Sequence, residues 1–224
     1  MRDGAVRVVQ ALTPPAAFPL YGIHIDFTIY KALNGLAYHH DGLEDFLRFV
    51  AQDAQYFFVA LLVGLFVVSG KWRTRQGRHG AVAAGLSAAL ALGIAHLITD
   101  LVARPRPYLA HPGDAHLFIA PSHDGSFPSD HATASFAIAV ALLLRHRKAG
   151  LLALVVAIVL SVARVAVGTH YPADVVAGAA LGSAAALVLW APPIGGWLNA
   201  VADWAGALYE RILFRLPGLR PSAS

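Results

Sequence analysis

The sequence predicts an all-α, polytopic integral membrane protein: a bundle of five or six transmembrane helices with an interfacial helix near each end. Three observations predict it. Of the 224 residues, 57% are hydrophobic and 13% charged, with a mean hydropathy of +0.58. Soluble domains carry about 25% charged residues. The apolar residues fall in long runs divided by short basic loops, as transmembrane segments do. The ionisable residues that interrupt apolar surroundings gather in three short stretches, Arg104-Pro105-Arg106-Pro107, Phe127-Pro128-Ser129-Asp130-His131 and the segment from Arg164 to Asp174.

Composition also excludes classes. The net charge of +4 is spread over the loops, which speaks for membrane topology and against a nucleic-acid partner. With no cysteine, disulfides and thiolate chemistry are excluded. No cleavable signal peptide is expected, because Pro14-Pro15 interrupts the start. No internal repeat is visible. One domain is expected over residues 1–224, with its chemistry in about residues 80–190.

Ile23, Phe27, Tyr30, Leu33 and Ala37 recur at helical spacing, with Asp26, Lys31 and Asn34 between them, predicting an interfacial amphipathic helix over about residues 23–40. The first span centres on Tyr56–Gly70 and ends at a basic loop over 71–78. A second runs from Gly80 to Val102, with Ala81, Gly85, Ala89 and Gly93 as a stripe of small residues for close helix packing. A polar loop covers 108–126. A third span begins near Ser129 and stops before Arg145-His146-Arg147-Lys148, and a fourth runs from Ala149 to Gly168. Pro172 suits the first position of a fifth helix, which reaches Trp190 with Gly178, Gly182 and Ala186 on one face. Trp197, Val201, Trp204, Leu208 and Ile212 then form the stripe of a second interfacial helix, about 197–216.

Five spans put the three polar stretches at one membrane face. Lys71, Arg73, Arg75, Arg78, Arg145, Arg147, Lys148, Arg211, Arg215 and Arg220 lie on the other. Positive residues stay cytoplasmic, so the chemistry is expected on the outer face of a plasma membrane. There, arginines converge with a serine and two helix N-termini, a setting for a phosphate or diphosphate. An imidazole attacks phosphorus when a carboxylate holds its other nitrogen. A second imidazole protonates the departing oxygen and later activates water.

Arg106-Pro107, Pro128-Ser129-Asp130-His131 and Arg164-x5-His170-x3-Asp174 resemble, in this order, the three motifs of the type 2 phosphatidic acid phosphatase (PAP2) superfamily. The resemblance implies His170 as nucleophile, Asp174 as its orienting partner and His131 as general acid. Arg106, Ser129 and Arg164 would hold the phosphoryl oxygens, with no metal and no cofactor. Three positions depart from the pattern. Thr99 stands where the first motif has a lysine, Ala163 where the third opens with serine, and Asp130 where the second has glycine. Arg104 is placed with the phosphate-binding residues as a source of the missing charge. Pro-Ser-Asp-His followed by Ala-Thr resembles the bacitracin-resistance branch, the undecaprenyl-diphosphate phosphatases.

The blander readings are these. Arg164 alone would snorkel to the interface. His131, His170 and Asp174 would make a metal site, against which the arginines repel a cation. Ser129 would cap its helix, Asp130 would pair with an arginine or serve structure, His96 and His123 would be packing and surface residues, and Tyr108 and Tyr171 interface aromatics. The function expected is hydrolysis of an isoprenoid lipid diphosphate for carrier-lipid recycling. The alternatives are a lipid phosphate monoesterase and, from another class, an anion transporter or binding protein, which would need polar groups along a path through the bilayer.

Overall fold

The structure, a computed structural model, describes residues 24–71 and 75–215. Residues 1–23, Trp72, Arg73, Thr74 and the chain from Leu216 onward lie outside the described residues, and with them the start of the sequence and Arg220. The helices are α1 His24–Tyr38, α2 Asp41–Lys71, α3 Arg75–Val102, the single turn α4 Pro107–Ala110, α5 Asp130–Arg145, α6 Arg147–Ala166, α7 Pro172–Trp190 and α8 Ile194–Arg215. All regular structure among the described residues is helical.

Four segments are long and apolar enough to cross a membrane: Asp41–Ser69, Arg75–Ala110, Arg147–Ala166 and Pro172–Trp190. In their midst stands α5, a 16-residue helix packed against α3, α6 and α7. Its contact with α7 is close because Gly178 and Gly182 have no side chain. A Cβ on Gly178 would lie 2.6 Å from the Ser129 carbonyl oxygen, and one on Gly182 would collide with the Thr133 carbonyl. That closeness brings the N-termini of α5 and α7 together, and both carry predicted site residues.

The small-residue stripe of α3 is not the predicted one. Of the predicted row Ala81 is buried, but Gly85 and Gly93 have open space where a side chain would go, and the other buried positions are Gly77, Gly80, Ala83, Ala84, Ser87, Ala88, Ala91 and Ala95. A strict four-residue step overshoots a turn by about 40° at 3.6 residues per turn, so the row 81–85–89–93 winds out of the contact.

Helix α8 covers most of the stretch over which an interfacial helix is expected. Trp197, Trp204, Leu208 and Ile212 face outward, while Leu198 and Ala202 pack inward. Its polar side is pinned to the bundle by Arg78–Glu210 (2.9 Å), His79–Asp203 (2.9 Å) and Arg145–Asn199 (2.6 Å).

At 15 residues, α1 is shorter than the roughly 20 a span needs. Its orientation differs from the expected one. Asp26, Tyr30 and Asn34 face the protein and are buried, whereas Ile25, Ile29 and Leu36 point outward. The polar residues turn inward because the protein offers them partners. Asn34 donates to the carbonyls of His116 and Ala166 (both 2.8 Å) and accepts from the His116 N–H (2.9 Å). Tyr38 stacks on His116, Phe27 stacks on His111, and Lys31 pairs with Asp114 (2.7 Å), so α1 straps down the 108–126 loop. Gly168 completes the join: its φ is +92°, and a Cβ there would strike the His116 carbonyl.

Candidate active site

Four backbone turns build the site. Helix α3 ends on Ala103, whose φ of 44° lies in the left-handed region, and the following Arg104-Pro105 runs extended. Ser126 N–H then donates to the Arg104 carbonyl (2.8 Å), drawing the loop onto that strand. Ser129 caps α5, its hydroxyl accepting from Ala132 N–H (3.5 Å), while its own N–H donates to the Asp174 carbonyl (3.0 Å). Asp174, three residues into α7, accepts the Tyr171 N–H (2.8 Å), closing that helix start. Two helix N-termini thus meet around His170, a place that favours an anion.

His170 is 2% exposed. Its Nδ1 lies 2.8 Å from the Ser126 carbonyl, which can only accept, so Nδ1 carries the proton and Nε2 keeps the lone pair. That Nε2 sits 3.3 Å from Arg106 Nη1 and 3.5 Å from Arg164 Nη2. Burial holds the imidazole neutral, with its pKa lowered to about 4. The Arg164 and Arg106 charges push the same way, and Asp174 opposes them. The ring therefore presents an unprotonated Nε2 to two guanidiniums.

Each arginine can be followed to its partners. Arg106 donates from Nη1 to the Thr169 carbonyl (3.1 Å) and from Nη2 to Asp124 Oδ1 (2.9 Å), with Nε on the Asp124 carbonyl (3.2 Å). Burial raises the pKa of the Asp124 carboxyl, but the Ser122 hydroxyl and the Arg106 charge outweigh it, so the net direction is down. Arg164 donates to the Ala51 carbonyl (3.3 Å), and its buried Nε has no partner among the described residues. His131, half-buried in the first turn of α5, lies within electrostatic reach of Arg164, His170 and Arg106. The structure thus gathers Arg106, Arg164, His131, His170, Asp174 and Ser129 at one end of the bundle.

Arg104 departs from its expected place with the phosphate-binding residues. Its guanidinium is tied up by Asp174 (Nη1 to Oδ1, 2.5 Å) and Asp26 (Nη2 to Oδ2, 2.7 Å) and lies over the Tyr171 ring (3.9 Å). It meets two carboxylates before it can meet a phosphate. Thr99 does not supply the charge either. Its hydroxyl turns back to the Ala95 carbonyl (3.0 Å), and its methyl lies where a Cβ on Gly125 would fall. Among the described residues Asp130 pairs with no arginine: Oδ2 is 3.8 Å from His96 Nδ1, and buried Oδ1 has no partner there. Asp174 Oδ2 is 3.8 Å from His170 Nδ1, beyond hydrogen bonding, so it acts on the ring through its charge. Among the described residues, no group of three or more His, Asp or Glu side chains is placed to hold a metal ion.

Sequence reasoning missed Asp26, Asp124 and Ser126. Ser126 touches both catalytic candidates, since its hydroxyl donates to Asp174 Oδ2 and its carbonyl receives His170. A signal for Asp26 did exist: Asp26, Tyr30 and Asn34 stand at i, i+4 and i+8, one polar face of one helix.

The family model of the PAP2 superfamily matches residues 80–193, which hold all three polar stretches, most of α3 and the whole of α4 through α7. The chain belongs to the PAP2 superfamily. It is a membrane phosphatase of the hydrolase class. The undecaprenyl-diphosphatase BcrC of Bacillus subtilis is 33% identical over 151 residues, 67% of this chain and 75% of that one. The decaprenylphosphoryl-5-phosphoribose phosphatase of Mycobacterium tuberculosis is 45% identical over 101 residues, 45% of this chain and 54% of that one. A transmembrane PAP2 type phosphatidylglycerolphosphate phosphatase from Bacillus subtilis, known from its crystal structure, superimposes with a TM-score of 0.53 at 17% identity, over 82% of this chain and 89% of that one. That last likeness is one of fold.

Proposed function

We propose that this PAP2 phosphatase removes the terminal phosphate of an isoprenoid lipid diphosphate through a phosphohistidine on His170. The observation that carries the reading is the His170 ring, with its proton held at Nδ1 by Ser126 and its Nε2 lone pair between two guanidiniums. In the first step Nε2 attacks the terminal phosphorus and the bond to the bridging oxygen breaks. Arg106, Arg164 and the Ser129 hydroxyl hold the phosphoryl oxygens, and the lipid monophosphate leaves with any proton it needs from His131. The Asp174 charge stabilises the phosphoimidazolium. In the second step His131 takes a proton from water, the hydroxide attacks phosphorus, the P–N bond breaks and orthophosphate departs. The bridging oxygen leaves on a phosphate monoester, a far weaker base than an alkoxide, so a diphosphate asks little of the acid.

The printed name of the Bacillus subtilis relative supports undecaprenyl diphosphate as substrate, with carrier-lipid recycling in cell-wall synthesis as the role. A monoester reading has its own support in the 45% identity with the mycobacterial decaprenylphosphoryl-5-phosphoribose phosphatase. Phosphate release from purified isoprenoid diphosphate, isoprenoid monophosphate and phosphatidic acid, compared by kcat/KM, decides between them. The diphosphate is expected to lead, and a monoester in first place would overturn the choice of substrate.

The basic residues of the α2–α3 and α5–α6 turns support a site on the outer face of a bacterial plasma membrane. Gly113 suits a labelling test, because a side chain there meets nothing within 4 Å and the chain has no cysteine of its own. In intact cells an impermeant thiol reagent is expected to label Gly113→Cys and to spare Arg75→Cys. The reverse pattern would put the site in the cytoplasm.

A further inference from the structure

We propose that Arg104 and Asp26 are positioning residues for the nucleophile, so that the first helix is a working part of the active site. The proposal rests on the phosphohistidine reading of His170. Asp174 is fully buried and receives three donors, Tyr171 N–H, Ser126 Oγ and Arg104 Nη1. Arg104 reaches the nucleophile by two routes. Its side chain holds Asp174, and its carbonyl fixes Ser126 N–H (2.8 Å), whose own carbonyl takes the proton of His170. Its guanidinium also lies over the ring of Tyr171, the residue directly after His170.

Asp26 sets how Arg104 divides its charge. One guanidinium serves two buried carboxylates, which leaves the trio with one net negative charge. That charge is what a phosphoimidazolium needs beside it. The second oxygen of Asp26 accepts the Ala173 N–H (2.8 Å) in the first turn of α7, so the same side chain fixes the helix that carries Asp174. The contacts span 78 residues from α1 to Arg104 and 147 from α1 to α7. Without Asp26, Arg104 would turn wholly to Asp174 and cancel its charge.

Asp26→Asn tests this with almost no change of shape. An amide has one acceptor oxygen, so it satisfies Arg104 or Ala173 N–H but not both. Arg104→Lys is the second variant, keeping the cation while losing the fork that joins two carboxylates. The probe is farnesyl diphosphate labelled with 32P in its terminal phosphate, followed in single turnover with enzyme in saturating excess. The rate constant then reports chemistry per active site and ignores inactive protein. Both variants are expected to lose on the order of 10- to 100-fold in this rate constant, as misplacement of reacting groups does, with KM within about twofold. A wild-type rate constant in both, whatever the yield of active protein, would overturn the proposal and leave Asp26 a structural residue. The wild-type enzyme run alongside separates the two readings. If its label never passes through histidine, the phosphohistidine reading fails and this proposal fails with it.

Discussion

Replacing His170 by alanine is expected to abolish turnover of every lipid phosphate and diphosphate offered, in protein that still inserts and folds. In the proposed mechanism the ring is the nucleophile, and no second group is assigned that role. Nε2 is the nitrogen facing both guanidiniums, while Nδ1 is committed to the Ser126 carbonyl. Because burial lowers its pKa to about 4, the nucleophile stays unprotonated through the neutral range and loses activity to its own protonation only below that value. Phosphate release by purified His170→Ala checks this. Turnover within tenfold of wild type would show that water, not His170, attacks phosphorus.

Arg164→Lys is expected to lower kcat/KM by about a hundred- to a thousand-fold, the usual cost of removing a preorganised donor from a developing charge. Charge alone does not rescue the site, because lysine offers a point charge where the phosphoryl group needs a planar fork. Arg164 spends Nη1 on the Ala51 carbonyl, sets Nη2 beside His170 and keeps a buried Nε without a partner among the described residues. In the proposed mechanism that Nε takes an oxygen of the substrate. Steady-state kinetics on the diphosphate provides the measurement, and a lysine variant within a few-fold of wild type would mean that Arg164 contributes charge and no geometry.

The fold was readable because the bilayer constrains it so strongly. Apolar runs of the right length, broken by short basic loops, leave few arrangements besides a helical bundle. Pro172 marked the start of α7, and Gly178 and Gly182 marked the face on which α5 lies. The motif residues converged because their chemistry has meaning at fixed spacing. Arg104 shows the limit. In sequence it resembles Arg106 two residues on, yet the left-handed turn at Ala103 and the extended Arg104-Pro105 send the two guanidiniums to different partners. The carboxylate that claims Arg104 comes from Asp26, far away in the chain, and no local pattern announces such a pairing. Ser126 escaped for another reason. It holds His170 through a main-chain carbonyl, which every residue type possesses, so its identity carries only half of its role.

The central claim is a phosphoryl group on His170, and trapping it is the most direct measurement. Enzyme mixed with isoprenoid diphosphate labelled in the terminal phosphate, quenched in alkaline detergent within milliseconds, is expected to retain label. The linkage should survive base, fall off in acid and map to the peptide carrying His170. Label on His131, label on a serine with the opposite stability, or burst-free hydrolysis with no labelled protein at any time would contradict it.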